Sequence, residues 1–270
     1  MKIKIFYIIL ISCTIFFSCE KDRELIIENT DIPLLSRVLY GGVLYYEYTY
    51  NEANLLSEEK SKFHYTKHTY DEKNHLVTSD LYADFAMASS DIHVIEASLN
   101  RKEWVNPDNT EASLRIAFEY NDNGQFIKSI YYRPSVSNSE FSEFIYENDR
   151  ISRQTMYWKN EISGYFDFFY DGNGNLFKEV KYLVPSTGLA QLLTTTDFEY
   201  DNKENPYRSF KRLMTPGIYT NRNNITKETY TLHIEVDPWT EKVHTTENIY
   251  EYNDIGYPVR VNGTVEYVYK

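Results

Sequence analysis

Apolar and polar residues alternate along most of the chain, and clusters of Asp, Asn and Gly interrupt the alternation at intervals. A period of two sends successive side chains to opposite faces of a strand, and such clusters tolerate the positive φ angles of a hairpin reversal. The clearest instance is Phe168-Phe169-Tyr170-Asp171-Gly172-Asn173-Gly174-Asn175-Leu176-Phe177-Lys178, which predicts strand, tight turn, strand. Few segments keep an apolar period of 3.6, so the pattern predicts an all-β chain.

The phrase recurs. Copies are anchored at Tyr50, Tyr70, Tyr120, Tyr146, Tyr170, Tyr200 and Tyr252, each with a ring two residues earlier: Tyr48, His68, Phe118, Phe144, Phe168, Phe198 and Tyr250. That spacing puts both rings on one strand face. Four residues past the tyrosine, Asn54, Asn74, Gly124, Gly174 and Gly256 supply the residue types that best enter the left-handed region. The copy at Tyr146 is one residue shorter and the copy at Tyr200 has Glu204 in that place, so both are expected to turn differently. Lys128, Arg153, Lys178, Arg208 and Arg260 follow the turns, on the expected wet face.

Intervals between the anchor tyrosines are 20, 50, 26, 24, 30 and 52 residues, which fits one hairpin for each short interval and about two for each long one. The sum is roughly 10 to 14 strands in one domain over residues 34–270, an antiparallel hairpin-repeat meander that is curled or closed into a barrel-like sheet. Asn223 to Lys227 reads as a worn turn inside the last long interval. Thr78 to Ser113 reads as a long or embellished loop carrying Trp104, and a short helix over Asn51 to Phe63 is the weaker alternative to a turn.

The N-terminus has a different pattern. Met1 to Lys4 is charged, Ile5 to Phe17 is apolar, and Ser18-Cys19 follows. The apolar run is shorter than the about 20 residues a spanning helix needs, so residues 1–18 read as a signal peptide. Phe16-Phe17-Ser18-Cys19 resembles the lipobox of bacterial lipoproteins, which implies lipidation of Cys19 and membrane attachment through lipid. Residues 19–33 are polar and without period, a tether. Glu20-Lys21-Asp22-Arg23-Glu24 resembles the tags of Gram-negative lipoproteins exported to the outer membrane. The resemblance implies an outer-membrane address, at the cell surface or on the periplasmic face.

The chain holds 28 basic and 40 acidic residues, and removing residues 1–18 takes two lysines and no acids, moving the net charge from −12 to −14. Such a balance argues against nucleic acid as a partner. Cys13 and Cys19 are the two cysteines, so residues 20–270 have neither disulfide nor thiol nucleophile. His64 and His68 stand four apart, about 13 Å along a strand, too far to share a zinc ion. Asp171 to Asn175 opens like a calcium loop, but Leu176 and Tyr182 occupy the places where the EF-hand pattern needs Gly and Glu. No cofactor or metal is expected.

Aromatic-x-Tyr-[Asp/Asn]-x-x-Gly-x-[Leu/Phe], at Phe168 to Leu176 and Phe118 to Phe126, resembles the YD repeat of Rhs-type proteins, in which each repeat is a β-hairpin and long arrays form a shell. Seven copies are too few for a shell. Together with the lipobox and Tyr250-Glu251-Tyr252-Asn253-Asp254-Ile255-Gly256-Tyr257-Pro258, the repeats resemble a family of uncharacterised Gram-negative lipoproteins of porin-like fold. That resemblance implies a curled or closed meander and brings no catalytic residues. Charges along the strands distinguish this chain from lipid-facing barrels, so a water-exposed body on a lipid anchor is expected.

No nucleophile elbow, zinc-protease pair or phosphate loop is present. The expected function is a cell-envelope binding or scaffold module for glycan, peptide or an envelope protein, with Trp104 as the candidate contact; each of Trp104, Trp158 and Trp239 reads first as a core ring and otherwise as an outward ring for stacking on a sugar or partner. The alternative is a carboxylate-based hydrolase with its site inside or on the rim of the barrel. Tyr70, Tyr120, Gly124, Tyr170, Gly174, Tyr252 and Gly256 are the repeat-turn residues.

Overall fold

A computed structural model describes residues 32–61, 64–83, 111–134, 139–213, 216–235 and 240–270. The alternating segments form β1 (Leu35–Tyr40), β2 (Val43–Tyr50), β3 (Leu56–Ser61), β4 (His64–Tyr70), β5 (Leu76–Ala83), β6 (Leu114–Tyr120), β7 (Phe126–Tyr132), β8 (Glu140–Glu147) and β9 (Arg150–Trp158). They continue as β10 (Glu161–Tyr170), β11 (Leu176–Leu183), β12 (Gln191–Glu204), β13 (Asn223–Leu232), β14 (Val243–Glu247), β15 (Tyr250–Tyr252), β16 (Pro258–Val261) and β17 (Val265–Tyr269). All belong to one 17-stranded antiparallel sheet, more strands than the turns alone predict. The count falls short because β1 and β17 lie outside the copies and because Asn223–Leu232 is a strand rather than the expected worn turn. Asn223 and Asn224 do not reverse the chain. Their amides fasten the start of β13 sideways, Asn223 Nδ2 to the Lys203 carbonyl at 2.9 Å and Asn224 Nδ2 to Asp201 Oδ2 at 3.1 Å.

β1 pairs with both β2 and β17, which curls the meander back on itself. Among the described residues the circuit lacks a ladder between β14 and β15, where Asn262 Oδ1 accepts from the Ile249 amide at 2.9 Å in its place. The sheet is therefore curled without being sealed.

Five of the seven anchor tyrosines each tie their hairpin to the one before. The hydroxyls of Tyr50, Tyr70, Tyr120, Tyr170 and Tyr200 donate to the carbonyls of Leu35, Leu56, Leu76, Ile151 and Leu176, residues that stand near or at the start of an earlier strand. Those five acceptor residues are buried, so the tyrosines reach across a continuous apolar layer. The next residue works within the turn: Asp171 Oδ1 accepts the amides of Asn173 and Asn175, both at 2.9 Å. Asn51, Asp71, Asn121 and Asn253 make the same pair of bonds. Sequence reasoning had missed this role, although Asp or Asn after each of those tyrosines was its signal.

Gly174 has φ +95°, and a Cβ built there would lie 2.7 Å from Arg150 Nη2. Asn54, Asn74, Gly124 and Gly256 hold the corresponding place, also with positive φ. The arginine can swing away, whereas the backbone cannot change without breaking the Asp171 bonds. Gly174→Val is therefore expected to cost about 1–3 kcal/mol in denaturant unfolding, and Gly174→Asn distinctly less, because asparagine already serves at two equivalent turns.

On the outer face the basic residues find acids across the strands. Arg153 pairs with Asp167 (2.6 Å), Lys178 with Asp197 (2.8 Å), and Lys227 with Glu199 (3.4 Å). Arg208 differs from its expected strand position: it lies in a 3-10 helix, Pro206–Leu213, and pairs with Glu204. Charges facing outward along mid-strand would cost about 2–4 kcal/mol apiece for basic residues at a bilayer midplane, so this face suits water. Among the described residues no helix is long and apolar enough to cross a membrane.

The inner face carries two apolar clusters. Phe126, Ile151, Phe168 and Leu176 form one, with Phe118, Phe144 and Phe198 packed against it. Leu35, Val38, Tyr48, Leu56 and Phe210 form the other. Phe210 comes from the 205–222 connection between β12 and β13, which folds inward to reach the opposite wall: its ring is 1% exposed and lies 4.8 Å from that of Tyr48. Asn175 holds this insertion from below. It is 1% exposed, its Oδ1 accepts the amides of Arg222 (2.8 Å) and Asn223 (3.0 Å), and its Nδ2 donates to Asn223 Oδ1 (3.0 Å).

Candidate functional site

Register decides which side chains meet on the outer face. Asp80 on β5 stands opposite Arg115 on β6, and Arg115 opposite Tyr132 on β7. These three point away from Phe118, which packs into the core. Arg115 grips Asp80 with both arms, Nε to Oδ1 at 2.6 Å and Nη2 to Oδ2 at 3.0 Å. The pair is planar and fixed, with hydrogen-bonding capacity left on its outer edges. Tyr82 flanks it on one side, 5.8 Å from the Tyr65 ring, and Tyr132 on the other, 52% exposed. Tyr82, Arg115 and Tyr132, with Glu111, Ala112, Arg133 and Pro134, line an open cleft of about 560 Å³.

The apolar surface continues past the cleft. Arg133 forms an ion pair with Glu140, and Glu140 stands opposite Trp158, which is 41% exposed. On the opposite, outer face Phe141 and Tyr157 stack at 4.4 Å, with Lys128 4.2 Å above Phe141. Trp158 shares its strand face with Met156 and with Gln154, which pairs with Phe144, so it stands on the core side of the sheet at the end of its strand and not outward with Phe141 and Tyr157. Cys19, Trp104 and Trp239 lie outside the described residues, but Tyr82 and Glu111 come from the two ends of the interval that carries Trp104. The repeat-turn residues Tyr70, Tyr120, Gly124, Tyr170, Gly174, Tyr252 and Gly256 do not enter the cleft; they lie beside turns along the sheet and serve its architecture. Tyr252 departs from the five carbonyl-bonded anchors by bonding to the Asp201 carboxylate.

Two inward groups have displaced protonation equilibria. Burial pushes His68 down to about 4, against the opposing charge of Glu59, and its Nδ1 lies 2.8 Å from Ser79 Oγ. Burial pushes Glu179 up, with Glu228 adding to the shift and Lys181 opposing it. His64 sits between Glu59 (Nε2 to Oε1, 2.6 Å) and Ser61 (Nδ1 to Oγ, 3.2 Å), an order that looks catalytic on paper. Ser61 is fully buried, however, and also receives the His64 amide at 3.0 Å, so it closes a turn. Among the described residues no three His, Cys, Asp or Glu side chains are placed to hold a metal ion.

The chain has distant likenesses among solved structures. The chain is similar to a porin-like protein from Bacteroides uniformis, at 13% identity and TM-score 0.41 over 87% of this chain and 98% of the other. It is similar to a porin-like protein from Bacteroides vulgatus at 11% identity and TM-score 0.36, over 88% and 99%. A Photorhabdus luminescens Tc holotoxin pore aligns at 13% identity and TM-score 0.29, over 76% of this chain but 10% of that one. No protein-family model and no curated protein matches the sequence.

No run of sequence announces the cleft. Asp80, Arg115 and Tyr132 are brought together by strand register alone, and each looks like an ordinary strand residue in isolation.

Proposed function

We propose that this chain is a lipid-anchored cell-envelope protein, attached through Cys19, that binds glycan in the Tyr82–Arg115–Tyr132 cleft. The observation that carries the reading is the pairing of one exposed phenol ring, Tyr132, and one half-buried ring, Tyr82, with the bidentate Arg115–Asp80 couple beside them. A pyranose has an apolar face for stacking and a rim of hydroxyls for planar polar groups, and the cleft offers both. Its volume of about 560 Å³ suits a short oligosaccharide segment. The charged outer face and the lipobox support the envelope setting.

A glycan array with the intact protein, repeated with Tyr132→Ala and Arg115→Ala, tests the reading. The expected result is a binding glycan whose affinity falls about tenfold or more in each variant, with the melting temperature nearly unchanged. Binding that is indifferent to both substitutions, or a response to peptides alone, would overturn it. Cys19→Ala tests the anchor separately, by loss of labelled palmitate from the protein in cells.

A further inference from the structure

The inward insertion leaves a cavity of about 150 Å³ against the inner wall of β13, β15 and β17. Tyr207, Tyr250 and Tyr267 are among its walls. The Tyr207 and Tyr267 rings are 6.1 Å apart and nearly perpendicular, at 86°, so they present a corner rather than a stack. Glu228 completes the lining, and among the described residues it has neither an ion-pair nor a hydrogen-bond partner. The groups that feel its charge are another acid, Glu179, and the Tyr200 phenol.

Most other polar groups of the lining are already engaged; the exception is Asn221, whose Oδ1 accepts the Leu176 amide at 2.8 Å while its Nδ2 has no partner among the described residues. Asn205 Nδ2 donates to the carbonyls of Ile218 and Asn221, Asn223 Nδ2 to that of Lys203, Asn224 Nδ2 to Asp201 and the Glu204 carbonyl, and Asn248 Nδ2 to the Ile225 carbonyl. The Tyr250 hydroxyl also donates to the Ile225 carbonyl. These groups hold the walls and are poorly placed to serve a sugar's hydroxyls. Besides the Asn221 amide, the cavity offers a carboxylate and aromatic rings, the two features that attract a cation.

The geometry points to a site for a compact quaternary ammonium group, caged by Tyr207, Tyr250 and Tyr267 with Glu228 as its counter-ion. A primary ammonium would bring three N–H donors to one free acceptor and leave some unsatisfied, at about 1–3 kcal/mol each. A trimethylammonium head has no donor to satisfy and spreads its charge over methyl groups that pack against rings. The space equals about five water molecules by liquid volume, enough for such a head on a short tail and too little for a disaccharide. The site is independent of the outer cleft and of the glycan reading.

Calorimetric titration of the intact protein with choline and with its neutral isostere 3,3-dimethylbutanol separates charge from shape. Choline is expected to bind at least about tenfold more tightly than the isostere. Glu228→Gln, which keeps the volume, should remove most of that preference while leaving the melting temperature in place, and Tyr267→Leu should weaken choline as well. Absence of choline binding, equal affinity for the two probes, or full retention of the preference in Glu228→Gln would each overturn the assignment.

Discussion

Asn175→Ala is expected to lower stability by about 3–5 kcal/mol, more than any other single amide in the sheet. The substitution strips the acceptor from two backbone N–H groups, those of Arg222 and Asn223, and the donor from Asn223 Oδ1. Each buried group left unpaired costs about 1–3 kcal/mol. The site is almost closed to solvent, so water cannot readily replace the lost partner. Gln125 occupies the same place in its own hairpin, five residues after the anchor tyrosine, but its amide meets the neighbouring Asn121 instead. Gln125→Ala should therefore change stability by only about 0.5 kcal/mol. Urea unfolding of the two variants measures the difference, and hydrogen exchange should show residues 206–221 losing protection before the strands in Asn175→Ala. Similar costs for both variants would mean that Asn175 is a turn residue and does not hold the insertion.

Acidification is expected to remove about 3 kcal/mol of stability through His68 alone. Burial lowers its folded pKa to about 4, while the unfolded value is about 6.5. Between these values the unfolded chain takes up the proton and the folded chain does not, so stability is full above about pH 6.5 and falls as pH drops toward 4. Two and a half units correspond to about 3 kcal/mol. Below the folded pKa both states are protonated and this contribution stops changing. His68→Gln should flatten the profile in that window while keeping a polar group beside Ser79. The check is the difference between wild type and variant in urea unfolding at pH 7 and pH 4.5, which cancels the carboxylates common to both. A constant difference would show that His68 titrates normally.

The hairpin repeat was legible because its causes are local. A tyrosine, an Asp or Asn, and a residue able to adopt positive φ within five positions specify the turn at Tyr170 before any tertiary contact forms. The alternation of the flanking residues then fixes which face is buried, as Phe168 and Phe118 show. The 205–222 insertion was not legible for the opposite reason. Phe210 is buried by Tyr48, far away in sequence, and Asn223 looked like a turn residue because its amide chemistry is the same whether it reverses a chain or fastens a strand. The cleft depends on the register of three strands, which a single sequence leaves open across the long interval between β5 and β6. Tyr132 and Arg115 carry no local mark of their pairing.

The ladder between β1 and β17 governs how the molecule can be assembled. Ser36 Oγ donates to the carbonyl of Val268, 232 residues away, and the hydrogen bonds around it span similar distances. Hairpins can form one at a time as the chain emerges, but this seam waits for residues near position 268. Until then β1 and the newest strand both present bare edges, the condition under which β-sheets pair with the wrong neighbour. Such long-range closure makes a late and slow step, so the chain should depend on chaperones to stay unpaired until then. Truncation before Val265 should therefore show itself as aggregation rather than as a modest loss of melting temperature.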